Sequence, residues 1–275
     1  MFKGVAAHGI TWFNAGRVKE NWKPVETIFA EMKEAGYDGV EYDNRMPSTR
    51  SALELKKMAA DCGLQWVGQS VSPPAKEGDA AGWEAFRQKV DLAVTLGVKV
   101  ATTGMGGRPK AAEQRQERFK RTADVLEKAA SICRGAGIAL AAHNHWGQML
   151  ENRSEIDTLM ELAPSLGLLF DTAHLELCGG GVMEVIHEHG GRIAHVHLKD
   201  LDTRQPLVAD NRLGQPRQWP NFKELGKGGL DFARILGALR DSGYAGWISV
   251  ELDWADRDPL EAHKANRARL RQLGY

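Results

Sequence analysis

The sequence predicts a closed (β/α)₈ barrel occupying all 275 residues as one domain, and three observations carry that expectation. Short apolar runs alternate with longer amphipathic segments about eight times, with no break in composition. Several runs are continuously apolar rather than alternating, as strands buried on both faces are. Ahead of five of the runs stands a glycine (Gly36, Gly63, Gly97, Gly137, Gly243), where a helix end takes the left-handed conformation at least cost. The length is somewhat above the roughly 250 residues usual for such a barrel. No G-x-G-x-x-G follows the first run, which argues against an open dinucleotide-binding sheet.

In chain order, the expected strands cover residues 3–7, 39–42, 65–70, 99–103, 138–143, 167–171, 193–198 and 247–252. Between them lie helical stripes. Pro24 suits the first turn of a helix that continues through Val25, Ile28, Phe29 and Met32. Residues 111–134 repeat the stripe with Thr122, Val125, Leu126, Ala129 and Cys133. Segments 231–240 and 259–273 supply the last two helices. Residues 202–221, rich in Pro, Arg, Asn and Gln, read as a long irregular connection able to serve as a lid.

Composition narrows the function classes. Thirty-six Lys and Arg balance 36 Asp and Glu, which argues against nucleic-acid or anionic-membrane partners. No run approaches the ~18 apolar residues of a membrane span. The N-terminus lacks the apolar core of a secretory signal, so the expected location is cytoplasmic. Cys62, Cys133 and Cys178 have no metal-binding spacing and read as incidental thiols.

Chemistry in such a barrel lies at the C-terminal strand ends. Strand five ends His143-Asn144-His145-Trp146-Gly147, strand six Asp171-Thr172-Ala173-His174, strand seven His195-Val196-His197-Leu198-Lys199-Asp200, and strand eight Glu251-Leu252-Asp253. Residues two apart share a strand face, so His143 with His145, and His195 with His197, can project together. Imidazoles and carboxylates from four consecutive strands suit Mn²⁺, Co²⁺, Zn²⁺ or Mg²⁺.

These motifs resemble the xylose isomerase-like TIM barrel superfamily, which includes ketose 3-epimerases, hydroxypyruvate isomerases, inosose dehydratases, dehydroshikimate dehydratases and endonuclease IV. The resemblance runs from Gly36-Tyr37-Asp38-Gly39-Val40-Glu41 to the C-terminal Leu273-Gly274-Tyr275. Its most specific pieces are Leu169-Phe170-Asp171-Thr172-Ala173-His174, His195-Val196-His197-Leu198-Lys199-Asp200 and Gly246-Trp247-Ile248-Ser249-Val250-Glu251. It implies a divalent-metal cofactor, manganese foremost, with Asp171, His197 and Glu251 on family ligand positions. Isomerases and epimerases of the superfamily place Glu at the strand-five end. Here His143 stands there, and in this the chain resembles inosose dehydratases. His143 is the first candidate for the fourth ligand and His145 the second, whichever does not ligate being a catalytic base.

The substitution bears on the reaction. Without a second glutamate the symmetric two-carboxylate proton shuttle of the epimerases is absent, whereas imidazole serves β-elimination as either base or acid. The expected activity is dehydration, or another elimination, of a keto-sugar or keto-cyclitol through an enolate. The alternatives are a ketose 3-epimerase or aldose–ketose isomerase, and, more remotely, a non-catalytic sugar-binding barrel. His143, His145, Glu251 and Lys199 are the candidate catalytic residues. His8, Trp12, Glu41, Gln69, Trp146, His174, Arg204 and Trp254 are candidates for substrate contact, with packing under the rim as the competing role for the aromatic ones. Lys199 and Asp200 either hold substrate oxygens or form a structural ion pair. Arg204, Arg212 and Arg217 in the lid are able to clamp an anion. Gly226-Lys227-Gly228-Gly229 lacks P-loop spacing and reads as structural. Residues 203–230 contain no histidine, which removes the extra ligand an endonuclease IV cluster needs. The expected partner is a small-molecule substrate, and self-association through the helix ring is a further expectation.

Overall fold

The computed structural model describes residues 1–19, 23–42, 49–212 and 214–275. Eight parallel strands close into a barrel in the order β1-β12-β7-β6-β5-β4-β3-β2, confirming the expected fold. In chain order the elements are β1 (Gly4–His8), α1 (Ile10–Lys19), α2 (Val25–Ala35), β2 (Gly39–Glu41), α3 (Ala52–Asp61), β3 (Gln65–Ser70), α4 (Ala80–Leu96), β4 (Val100–Thr103), α5 (Ala112–Gly135) and β5 (Ala139–His143). They continue with α6 (Arg153–Leu162), β6 (Gly167–Asp171), α7 (Thr172–Leu177), α8 (Val182–His189), β7 (Ile193–Leu198) and four short strands, β8 (Asp200–Leu201), β9 (Leu207–Asp210), β10 (Arg217–Pro220) and β11 (Phe222–Lys223). The chain ends with α9 (Phe232–Asp241), β12 (Trp247–Val250) and α10 (Pro259–Gln272). Among the described residues no helix is long and apolar enough to cross a membrane.

The chain packs as two compact units, residues 1–67, 197–240 and 245–275 in one and 68–196 with 241–244 in the other. In the first, β1 lies between β12 and β2, with Ala7 opposite Val250 and His8 opposite Glu41. Helix α2 buries Ile28, Phe29, Met32 and Ala35, one face at helical spacing, and packs on α10. It ends at Gly36, whose φ of 96° is a conformation only glycine takes freely. Pro24 stands one position ahead of this helix, as its N-cap rather than in its first turn. In the second unit, β4, β5 and β6 pair in sequence, Thr102 opposite Ala141 and His143 opposite Leu169. Helix α5 lies on β5 and α6 and buries Val125, Leu126, Ala129 and Cys133.

Strand β12 stops at Val250, two residues before the expected end. The carbonyls of Leu252 and Asp253 are taken by the side chains of Thr11 and Asn14 instead. The stretch 202–221 is also more ordered than expected. Apart from Leu213, which lies outside the described residues, it forms a hairpin in which β9 and β10 run antiparallel, Asp210 opposite Arg217. Its clasp is electrostatic. The buried Asp210 carboxylate accepts from Arg212 Nε at 2.8 Å and from Arg217 Nε and Nη2 at 3.1 Å. The glycine-rich turn wraps a carboxylate of its own chain. Asp200 Oδ2 accepts the N–H groups of Gly226 and Gly228 at 2.8 and 2.9 Å, while Lys227 pairs with Glu224.

Two expected outcomes follow from this packing. A Cβ at Gly39 would meet Val67 Cγ1 and, at 2.9 Å, the Gln65 carbonyl oxygen. Gly39→Ala should therefore lower stability by about 1–3 kcal/mol, read from urea unfolding. Burial raises the Asp210 carboxyl pKa, but Arg212 and Arg217 outweigh it and hold it below its ordinary value. The clasp is therefore complete above the usual carboxylate range and is lost only as pH falls through that lowered value. Asp210→Asn should accelerate amide exchange across the hairpin at neutral pH by at least about tenfold, since a charge-assisted hydrogen bond contributes ~1.5–3 kcal/mol.

Candidate functional site

Each unit brings part of the sequence-predicted set together, and the two parts differ in chemistry. The first is rich in carboxylates. His197, two residues before Lys199, shares its strand face. Its Nε2 lies 3.0 Å from Glu41 Oε2 and its Nδ1 contacts Glu251 Oε2. The His8 ring meets it edge-on at 5.3 Å between centroids, while His8 Nδ1 accepts the Ile10 N–H at 3.2 Å. Burial alone would depress the His197 pKa, but Glu41 and Glu251 more than reverse that and raise it well above the usual value. Positive charge is favoured at this point. Among the described residues His8, Glu41 and His197 also form a group with metal-binding geometry.

Lys199 has no solvent exposure. Its Nζ lies 3.0 Å from Glu251 Oε1, 2.6 Å from Asp253 Oδ1 and 4.3 Å from the centre of the Phe222 ring. Of the two roles open to Lys199 and Asp200, Lys199 takes up ion pairing, with Glu251 and Asp253 rather than with Asp200. Successive residues leave a strand in opposite directions, so Lys199 reaches the carboxylates after β12 and Asp200 the glycine turn. Burial would raise the Glu251 pKa, but Lys199, His197 and His8 hold it well below the ordinary range, so the carboxylate stays ionised. Asp253 shifts the other way, pushed up by burial and by Glu251 against the pull of Lys199.

The second part is rich in imidazole. His143 closes β5, and its Nε2 lies 3.6 Å from Asp171 Oδ2. Asp171 caps α7, accepting the His174 N–H at Oδ1 at 2.9 Å. Asn144, which sequence reading left without a role, fixes this aspartate. Its Oδ1 accepts the Asp171 N–H at 2.9 Å and its Nδ2 donates to the Asp171 carbonyl at 3.0 Å. The signal was present in the period-two alternation, which turns Asn144 away from the face shared by His143 and His145.

The other two histidines have assignable protons. His145 Nδ1 lies 2.7 Å from the Trp146 carbonyl, which only accepts, so Nδ1 donates. His174 Nδ1 accepts the Trp146 N–H at 3.4 Å. The His145 and His174 rings lie 3.8 Å apart, with His143 5.3 and 5.8 Å from them.

The remaining candidates divide. Trp12 is buried, its indole N–H donates to Glu31 at 2.7 Å, and its ring stacks on His263 at 4.4 Å. Its ring and its one polar atom both serve the interior, the packing role that was open to the rim aromatics. Arg204 is exposed, its backbone N–H on Asp202. Gln69 is half-buried at the end of β3 and donates to the Ser70 carbonyl. His195 is buried. Trp254 lies under Arg212, whose guanidinium stands 4.5 Å over its ring, and with Asn211, Asn221 and Phe222 it lines a cavity of about 280 Å³ beneath the hairpin. A cavity of about 600 Å³ opens between α5 and α6, but none of the strand-end residues lines it.

The rhizopine catabolism protein MocC of Rhizobium meliloti is 31% identical over 288 aligned residues, 97% of this chain and 85% of that protein. An inosose dehydratase of Clostridium perfringens is 29% identical over 89% of this chain and 86% of its own length. The structure of an IOLI protein with a bound zinc atom superposes with a TM-score of 0.72 at 18% identity, over 98% of this chain and 97% of that one. The profile of the xylose isomerase-like TIM barrel matches residues 29–273, and the chain belongs to that family.

Proposed function

We propose that this protein is a divalent-metal-dependent lyase that removes water from a keto-cyclitol or keto-sugar, as an inosose dehydratase does. The observation that carries the reading is the strand-five end. It presents imidazole where a symmetric epimerase needs a carboxylate, and the His145 ring is oriented by the hydrogen bond from its Nδ1 to the Trp146 carbonyl. The roughly 30% identity to MocC and to inosose dehydratases, along nearly the whole chain, supports it.

The residues fit a metal. His143, Asp171, His197 and Glu251 offer two imidazole nitrogens and two buried carboxylates, a donor set suited to Mn²⁺, Co²⁺ or Zn²⁺. Bound there, the ion would polarise the substrate ketone. Glu41 takes the role of a carboxylate behind a ligating histidine: by accepting from His197 Nε2 it leaves Nδ1 as the donor atom. Lys199 keeps Glu251 ionised.

His145 Nε2 removes the proton α to the ketone, and the electron pair of that C–H bond enters an enolate. As the enolate collapses, the C–O bond of the β-hydroxyl breaks and a carbon–carbon double bond forms. The imidazolium returns its proton to the departing hydroxyl, which leaves as water. His8, His174, Trp146 and Trp254 are proposed substrate contacts, with Gln69 at the end of β3.

The Mn²⁺-loaded protein should release water from scyllo-inosose in D₂O, followed by NMR. Chelator and Glu251→Gln should each abolish the reaction, and His145→Gln should lower turnover at least about a hundredfold, the lower end of what a general base contributes, while metal is retained. Deuterium entering an epimer or an aldose without elimination would overturn the lyase reading.

The metal assignment has its own measurement. Titration calorimetry should find about one Mn²⁺ per chain. Glu41→Ala should weaken it about 10- to 100-fold, the usual cost of losing a partner behind a ligating histidine. Unchanged affinity would remove Glu41 from that role.

A further inference from the structure

His263, on α10, is completely buried and takes no part in the chemistry proposed above. Its Nδ1 lies 2.8 Å from the Tyr37 hydroxyl and its Nε2 2.9 Å from Thr11 Oγ1. Thr11 Oγ1 in turn lies 2.5 Å from the Leu252 carbonyl oxygen. The direction of every bond follows from that carbonyl, which only accepts. Thr11 spends its one proton there, so its oxygen accepts from His263, and the ring proton sits on Nε2. Nδ1 is then the acceptor and Tyr37 the donor. Burial pushes the His263 pKa down to about 3, which keeps the ring in this neutral form at ordinary pH.

This series of hydrogen bonds ends just beyond the last barrel strand. Beyond Val250 the strand-end carbonyls hang on α1, Leu252 on Thr11 and Asp253 on the Asn14 amide at 2.8 Å. Thr11 and Asn14 are three apart and so share a face of that helix. Between the last paired residue and these two carbonyls stands Glu251, whose own N–H donates to the Leu198 carbonyl at 3.2 Å.

We infer that Tyr37, His263 and Thr11 form an oriented relay that positions Glu251, by fixing the carbonyl of the residue that follows it. The relay sets where the Glu251 carboxylate meets His197 and Lys199. None of its three members is a catalytic residue. The inference rests on the reading that Glu251 serves the metal site, and its test separates the two.

Thr11→Val removes the hydroxyl at nearly constant volume, and Thr11→Ser restores it. In metal-free protein labelled at the glutamate carboxyl carbons, Thr11→Val should shift the Glu251 signal and Thr11→Ser should leave it in place. Mn²⁺ affinity should fall about tenfold in Thr11→Val and recover in Thr11→Ser. Long-range ¹H–¹⁵N spectra of the unsubstituted protein should show His263 protonated on Nε2 alone. Should Thr11→Val not fold, Tyr37→Phe removes the first donor and should shift the Glu251 signal in the same way. Protonation of His263 on Nδ1 overturns the relay, as does a Glu251 signal unmoved in whichever of these variants folds. If the unsubstituted protein binds no Mn²⁺, the metal reading falls, and the carboxyl signal and the His263 tautomer still decide the relay.

Discussion

Lys199 carries a positive charge to a point with no solvent exposure, and much of the first unit is arranged around it. A bare ammonium there would cost several kcal/mol. Glu251 and Asp253 supply the opposing charge from one side of the strand end, and the face of Phe222 lies over the ammonium. Phe222 belongs to β11, which pairs with β8, and β8 begins at Asp200. Asp200 in turn gathers the N–H groups of Leu201, Gly226, Gly228 and Leu230. One buried charge thus ties the end of β7, the segment after β12 and the glycine turn into a single unit. Removing both carboxylates would strand the ammonium, and an uncompensated buried charge costs about 3–5 kcal/mol.

The same charge pulls both neighbouring carboxylates down, yet the two behave oppositely, because burial and the charge of Glu251 outweigh it at Asp253 while His197 and His8 reinforce it at Glu251. Glu251 faces Lys199 and His197 and is held ionised, whereas Asp253 faces Lys199 with Glu251 as a like-charged neighbour and is pushed up. Glu251 is therefore the better anionic donor. In the second unit Asp171 is fixed differently, by an amide clamp on its backbone and a capping bond to one oxygen, which leaves the other oxygen directed toward His143. One unit positions its carboxylate with charge and the other with hydrogen bonds.

Much of this was legible in the sequence, and what was not has a common cause. Strand and helix periodicity located all eight barrel strands, and the glycines ahead of them marked helix ends correctly, with φ from 74° to 96° at all five. The strand-end histidines and carboxylates that the structure gathers within each unit were also visible, because period-two alternation and barrel topology assign them a face and an end. Interactions set by distant partners were not. Trp12 reads as a rim aromatic until Glu31 and His263 claim it. Lys199 and Asp200 read either as substrate contacts or as an ion pair, and the carboxylates that Lys199 meets lie some fifty residues on. The β9–β10 hairpin has no apolar alternation to announce it, since the buried Asp210 and two arginines stabilise it in place of a core.

The exchange of glutamate for His143 has a consequence that charge counting makes plain. In the proposed metal site, two imidazoles and two carboxylates would balance a divalent ion's two charges, where a third carboxylate would leave the site anionic. A less anionic set would leave a bound ion more able to polarise the substrate ketone and so to acidify the carbon beside it. A weaker base then suffices for that proton, and imidazole, with an ordinary pKa near 6.5, is weaker than the enolate it must generate by a margin only such polarisation can close. His145 and His143 are on this view one adaptation. In the proposed reading, the ligand that would lower the site's negative charge and the base that would exploit the result stand two residues apart in the sequence, where β5 ends.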